Sequence, residues 1–522
     1  MVAAGEIPPD RLRNRNSVAV LIALACGHGR SIGEDVLLKT WFGGIAQQRP
    51  LQHGVTCACH SPQAQKLLAR MEAGMSRRSI LAGAAAGFAA AGLGVASPAF
   101  AQASAKPRLL ANVRIFDGAS ARLIEGRNVL IVGDVIQALI PAGEIVTDAD
   151  VVDCGGRVLM PGMIDAHWHT MLAGISQMAA MTADIPYLHL VAAQEAERTV
   201  MRGFTTVRDM GGPSFALKRA IDEGRFAGPR IYPSGSMISQ TSGHGDFRMR
   251  ADLPRTSQST LSVAEQAGIA AIADGEAEVL RRVREQLMLG ASQIKIHAGG
   301  GVASTYDPVD ALQYTEAEMK AAVAAATDWG VYVCAHTYTP AGIQRAVASG
   351  VKSIEHGQMA DEETVRRMAD AGAWWSIQPF LADEDANVYP SPEQRAQQQT
   401  IAEGTARAVE WGRKHKVNMA LGTDILFSPK GTTTQGKQLA KFARWYGAAE
   451  VLRMLTGGNA EILNLSGPRN PYPAKLGRIE AGAYADLLVV EGDPLTDISV
   501  IADPDRTMKL IMKAGRVHKN TL

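Results

Sequence analysis

Six residues of this chain are of types that hold divalent metal ions, and each ends or interrupts a short apolar run. They are His167 and His169 in PGMIDAHWHT, Lys295 in SQIKIHAGGG, His336 in VYVCAHTYTP, His356 in KSIEHG and Asp424 in NMALGTD. Residues i and i+2 of a strand point to the same face, so His167 and His169 can offer two imidazoles to one ion. Such a pair alone is more often two half-buried histidines bonded to backbone. The weight comes from coincidence: His336, His356 and Asp424 close three further runs, and imidazole and carboxylate are ligands that zinc favours. Lys295 is a different case. A lone ammonium in mid-strand is expensive to bury, burial lowers its pKa, and the neutral amine can take up CO₂ as a carbamate that bridges two metals. The competing reading is a snorkelling lysine, or an ion pair with Asp424 or Glu355.

These residues must be positioned by regular elements, and the pattern supplies them. Eight short strands are predicted at 162–167, 204–209, 229–234, 292–297, 331–336, 352–356, 374–379 and 418–424, alternating with helical stretches. The helix before the fifth strand is the clearest. Thr315 and Glu318 form a capping box, an Ala-rich body follows, and Gly330 is the stop. The pattern fits an α/β chain with a (β/α)₈ TIM-like barrel over 161–465; a doubly wound sheet is the alternative, since periodicity does not show closure. In a parallel barrel the chemistry sits at the carboxyl ends of the strands, where five of the six residues fall. Two β-rich stretches flank the barrel, and 102–160 with 466–522 are expected to form one small composite β-sandwich domain from both ends of the chain.

Bulk properties narrow the partners. The 522 residues are 46% hydrophobic and 20% charged, with a formal net charge of +1, a soluble globular balance that favours neither nucleic acid nor an anionic membrane. Five scattered cysteines make no disulfide framework. From Met75, the sequence MSRRSILAGAAAGFAAAGLGVASPAFAQA reads as an export signal: Arg77 and Arg78, an apolar run over 80–96, and AFA at 99–101. Its Ser-Arg-Arg-x-Ile-Leu order resembles a twin-arginine signal, so a periplasmic or secreted location is expected, with cleavage after Ala101. Residues 1–74 are then an over-extended start, and the zinc-like HGVTCACH within them (His53, Cys57, Cys59, His60) matches no standard finger spacing.

The segments DAHWH (165–169), IKIH (294–297), CAHTY (334–338), IEHG (354–357) and GTD (422–424) together resemble the amidohydrolase superfamily in order and spacing. GFTTVRDMGG, SGHGDFR and HTYTP resemble its imidazolonepropionase-like branch, closest to the Xaa-Pro dipeptidases and ochratoxin-hydrolysing amidohydrolases. The resemblance implies two Zn²⁺ or other divalent ions, with His167, His169 and Asp424 on one, His336 and His356 on the other, and carbamylated Lys295 between them. Asp424 would shuttle the proton from water to the leaving nitrogen. His244 and Tyr338 match positions that contact the substrate carbonyl and terminal carboxylate, and Arg248 could add charge for that carboxylate. The implied substrate is an amide between an acyl or aminoacyl group and a C-terminal amino acid, as in dipeptides or N-acyl amino acids such as ochratoxin A. The implied assembly is a homo-oligomer. The loop MISQTSGHGDFRMRADLPRTSQST, at 237–260, is long enough to be functional. Trp374, Trp375 and Phe380 are candidates for an apolar acyl pocket, against ordinary core packing; Cys334 reads as packing. Three rivals remain. A deaminase would use one metal and no bridging lysine, a cyclic amidase would share the ligands, and a non-catalytic scaffold would have lost some of them.

Overall fold

The computed structural model describes residues 106–522 except 256–258, 305, 388 and 390. The readings of 1–74, of HGVTCACH and of the signal at 75–101 lie outside the described residues. Four strands open the chain: β1 (Arg108–Ile115), β2 (Arg127–Val132), β3 (Val135–Pro141) and β4 (Asp150–Pro161). Ten follow: β5 (Met163–Trp168), β6 (Phe204–Asp209), β7 (Arg230–Pro233), β8 (Met237–Ser239), β9 (Ala270–Ile272), β10 (Gln293–His297), β11 (Tyr332–Thr337), β12 (Ser353–His356), β13 (Trp374–Ile377) and β14 (Asn418–Leu421). Three close it: β15 (Leu487–Val490), β16 (Met508–Lys513) and β17 (Arg516–Asn520).

The first and last strands of the described residues meet in one sheet of order β17-β16-β15-β4-β1-β2-β3. The twelve-residue β4 is its axis, pairing parallel with β1 along its length and antiparallel with β15 through Val158–Pro161. Its buried side carries Leu110, Val129, Ile136, Leu159, Leu487, Val489 and Leu510 as a core of its own. The alternation of buried and exposed residues along β1 and β3 is that of strands with one dry face.

The middle strands form two parallel ladders, β5-β6-β7 and β14-β13-β12-β11-β10-β8-β9. Strands β5, β6, β10, β11 and β12 are buried at every position, which is why they read as near-continuous apolar runs. All eight predicted strands are present. The third differs from expectation, because its pairing runs past a bend. After β7 the chain turns at Gly235 (φ +75) and continues as β8, so the first residues of the long predicted loop are strand. β7 pairs with β6, while β8 pairs with β10 and with the unpredicted β9. An Ala-Ala-Ile triplet carries too little β propensity to mark β9 in the sequence.

The helix Glu316–Trp329 begins and ends as predicted. Thr315 Oγ1 accepts from Glu318 N, Glu318 accepts from Thr315 N at 2.8 Å, and Gly330 (φ +78) closes it. At the other side of the parallel strands, β14 and β5 share no ladder but are joined by a side chain. Asn459 Nδ2 donates to Ile164 O at 2.7 Å and Leu421 O at 2.8 Å, and its Oδ1 accepts from Leu421 N at 2.9 Å. Above it, Asp424 N donates to His167 O at 2.8 Å. Gly422 permits this approach, since a Cβ there would lie 2.4 Å from His167 N.

Candidate metal centre

The carboxyl ends of these strands floor a cavity of about 570 Å³ lined by His167, His169, Lys295, His336, His356 and Asp424. All six predicted ligands are therefore in one place. Three of them converge most closely: ligand atoms of His167, His169 and Asp424 all lie within 4.8 Å of one another. The rings of His336 and His356 are 4.5 Å apart, and His356 is 5.0 Å from His167. His356 and Asp424 sit at φ +74 and +54, left-handed backbone that residues with side chains adopt at a cost and that clusters at functional sites.

Whether the cluster fits a metal can be decided from which ring nitrogens carry protons. His167 Nδ1 lies 2.8 Å from a Glu355 carboxylate oxygen, and His169 Nδ1 lies 3.4 Å from the carbonyl oxygen of Gly211. Both partners can only accept, so both Nδ1 atoms are protonated and both Nε2 atoms carry bare lone pairs. Those Nε2 atoms face the same Asp424 Oδ1, at 3.2 and 3.1 Å. His167 Nε2 is accordingly a buried nitrogen with no hydrogen-bond partner. His356 Nδ1 is 2.7 Å from Gln378 Oε1, whose amide nitrogen donates to Ser376 O, so its Nε2 is bare as well. His336 Nε2 is 3.1 Å from Gly300 O, which leaves Nδ1 bare. Lone pairs turned on one another inside a protein repel unless a cation sits among them, and outer partners that fix the tautomer are the rule for metal-binding histidines. The residues fit a divalent ion.

Charge in the site follows burial and neighbours. Burial depresses Lys295, whose ammonium lines the cavity with no ion pair among the described residues, so neither Asp424 nor Glu355 pairs with it. Burial likewise lowers His336 and His356, keeping them neutral and able to ligate. Cys334 is fully buried, its thiol pushed up to about 12 and donated to Ile294 O; it packs.

His244 enters the cavity from the loop after β8. Its Nδ1 is 3.0 Å from Ser304 Oγ and 3.5 Å from Asp307, and its ring stacks on His336 with centroids 4.0 Å apart. Gly301 leaves room for it; a Cβ there would fall 2.1 Å from the imidazole. Tyr338 lines the same space, its ring 5.2 Å from His356. Arg248 does not join them. Its guanidinium forks onto Asp246 at 2.7 and 2.6 Å, is 4% exposed and stands apart from the lining, because a nearer carboxylate has taken it. Trp374 and Trp375 are also outside the lining, and Trp375 is core. Phe380 does line it, with Val302, Tyr389 and Ile401 on one wall and Phe247 edge-on to Phe427 on another.

The sequence reading passed over several residues that shape this site. His297 lines the cavity, with its Nδ1 buried and unpartnered. Asp165 accepts from the backbone of His167 and Thr423 and from Thr423 Oγ1, lashing the first and last ligand segments together. Gln378 and Glu355 meet the His356 and His167 rings from behind, and Arg208 grips Glu355. The available signal was a charged residue inside an apolar strand, in FTTVRD and SIEH.

Comparison with known proteins agrees with the geometry. The amidohydrolase family model matches residues 158–517. An ochratoxinase from Aspergillus niger is 32% identical over 380 residues, 69% of this chain and 76% of its own. The structure of an amidohydrolase matches with a TM-score of 0.72 at 36% identity, over 80% of this chain and all of its own. A prolidase solved with N-methylphosphonate-L-proline matches with a TM-score of 0.72 at 34% identity, over 79% and 100%. With the ligand-type residues of five strands gathered in one cavity and the histidine lone pairs turned inward, the chain belongs to the amidohydrolase family and is a hydrolase acting on amide bonds.

Proposed function

We propose that the protein is a binuclear zinc hydrolase that cleaves the amide between an acyl or aminoacyl group and a C-terminal amino acid. The two parallel ladders act as one (β/α)₈ barrel beside a composite β domain, and the segment at 75–101 directs the protein to the periplasm or outside. The observation that carries the reading is the meeting of two bare imidazole nitrogens at Asp424 Oδ1 on the floor of the cavity. His167, His169 and Asp424 would hold one ion, His336 and His356 the second, with carbamylated Lys295 shared. When bound, the metal supplies Lewis acidity to the amide carbonyl and lowers the pKa of water.

The chain's own residues do the rest. Asp424 accepts the proton of the attacking water and returns it to the leaving nitrogen. His244, held by Ser304, directs Nε2 to the substrate carbonyl. The Tyr338 hydroxyl binds the terminal carboxylate, while Phe380, Tyr389 and Phe247 exclude water from the acyl side. With Arg248 paired to Asp246, carboxylate recognition falls to Tyr338. The resemblance of the relatives supports this reading: an ochratoxinase and a prolidase are among them.

The test is an activity screen of zinc-loaded protein on N-acyl amino acids, Xaa-Pro and Xaa-Arg dipeptides and a cyclic amide. Turnover of N-acyl amino acids or dipeptides is expected. Turnover of the cyclic amide alone would replace this reading with a cyclic amidase, and protein that takes up no zinc would point to a scaffold.

A further inference from the structure

Behind the cluster, the interior of the parallel strands holds a column of polar side chains that the mechanism above does not use. Arg208 on β6 and Glu355 on β12 are both 0% exposed. Arg208 Nε donates to Ala166 O at 2.6 Å, and Nη1 donates to the Tyr332 hydroxyl at 3.2 Å and Ser353 Oγ at 3.3 Å. Nη2 reaches both Glu355 oxygens, at 2.8 and 2.7 Å, and Ser353 Oγ donates to Glu355 Oε1 at 2.6 Å. The position left on Glu355 Oε2 receives His167 Nδ1. With Arg208 Nη2 donating to both Glu355 oxygens and Ser353 Oγ to one, the carboxylate meets His167 Nδ1 as an acceptor, so the proton on this ring sits on Nδ1.

We propose that Glu355 is a positioning residue for the metal centre: it fixes His167 as the Nδ1–H tautomer with Nε2 bare towards Asp424, and Arg208 holds Glu355 in place for that task. The inference rests on the metal-site reading above. A plain structural ion pair would stabilise the barrel without caring which nitrogen of His167 is protonated, and Glu355→Gln separates the two. The substitution keeps the shape. Arg208 retains the amide oxygen, so the new NH₂ faces His167 Nδ1, which must then accept. The ring proton moves to Nε2, where it blocks a ligand position.

The experiment is zinc titration of the metal-free full chain, wild type and Glu355→Gln, by competition with a chromophoric chelator, with circular dichroism to verify folding. A folded Glu355→Gln variant is expected to bind its tightest zinc about 10- to 100-fold more weakly. Wild-type affinity in the variant would overturn the role of Glu355 and leave the metal site standing. Wild-type protein that binds no zinc would overturn the metal site and this inference with it. Should the variant not fold, the ¹⁵N-histidine spectrum of the metal-free wild type decides, with His167 assigned by its loss in His167→Asn. An Nδ1–H signature is expected, and an Nε2–H signature overturns the proposal.

Discussion

The cavity has a floor made of strand ends and walls made of loops, and the two are held by different means. On the floor, the ring nitrogen of each ligand histidine that faces away from the cavity meets an acceptor set by another element: Glu355, Gly211, Gln378 or Gly300. On the loop side, His244 depends on Ser304 and Gln313 from a neighbouring loop, and close by Met249 and Leu253 are 55% and 50% exposed. Strand ends are fixed by the ladders on both sides of them, so reactive atoms there keep their relative positions. Loops satisfy their backbone locally and can change length or composition without moving the floor. The chemistry is thus written into the part of the fold least free to vary, and substrate choice into the part most free.

Breaking the floor should therefore cost far more than altering a wall. Asp424→Ala is expected to lower kcat/KM at least ~10³-fold, about 4 kcal/mol, since in the proposed mechanism it removes a ligand and the proton carrier together. Kinetics with the metal content of the same sample would check this; full metal with unchanged turnover would remove Asp424 from the mechanism.

The floor is also supported by Asp209, fully buried, which accepts from Thr170 N at 2.7 Å and Ser214 Oγ at 2.6 Å. Burial pushes its carboxyl up to about 7, above its value of ~3.9 in an unfolded chain. The folded state then binds the extra proton, so this contribution to stability is present below about pH 4 and is lost as pH rises through 7. The full shift corresponds to ~4 kcal/mol as an upper limit. Asp209→Asn should abolish this slope in urea unfolding of the metal-free protein from pH 4 to 8; parallel profiles for the two proteins would contradict it.

On the wall, His244→Asn should reduce kcat/KM about 10²-fold, ~2.7 kcal/mol, with zinc content and thermal midpoint unchanged. A fall in zinc content would make His244 part of the floor instead. The smallest effect belongs to Arg248, made here with its partner so that no unpaired charge is buried. Arg248→Met with Asp246→Asn should change KM for carboxylate-bearing substrates by less than about twofold. A tenfold rise in KM would return Arg248 to the substrate site.

Much of this was readable in the sequence because burial on both faces makes parallel strands apolar, and a metal site must then end them in polar residues. FTTVRD is the observed β6 from first residue to last, and HxH needed only the two-residue repeat of a strand. What was not readable depended on how side chains and strands pair once the chain is folded. Arg248 looked like a free charge, and only folding showed Asp246 two residues away wrapped around it. Trp375 could be pocket wall or core, because an indole suits either setting, and the fold placed it in the core. β9 was invisible because its three residues are a strand only through pairing with β8.

The sequence by itself determined the types and order of the candidate ligands, the strands that carry them and the helix caps between, since these follow from local periodicity and side-chain chemistry. The tertiary structure decided which nitrogen of each histidine is bare, which charges are already spent on partners and how the first strand meets the last. Those depend on Glu355 lying beside His167, 188 residues away in sequence, and on Asn459 spanning Ile164 and Leu421, and no local pattern encodes such contacts.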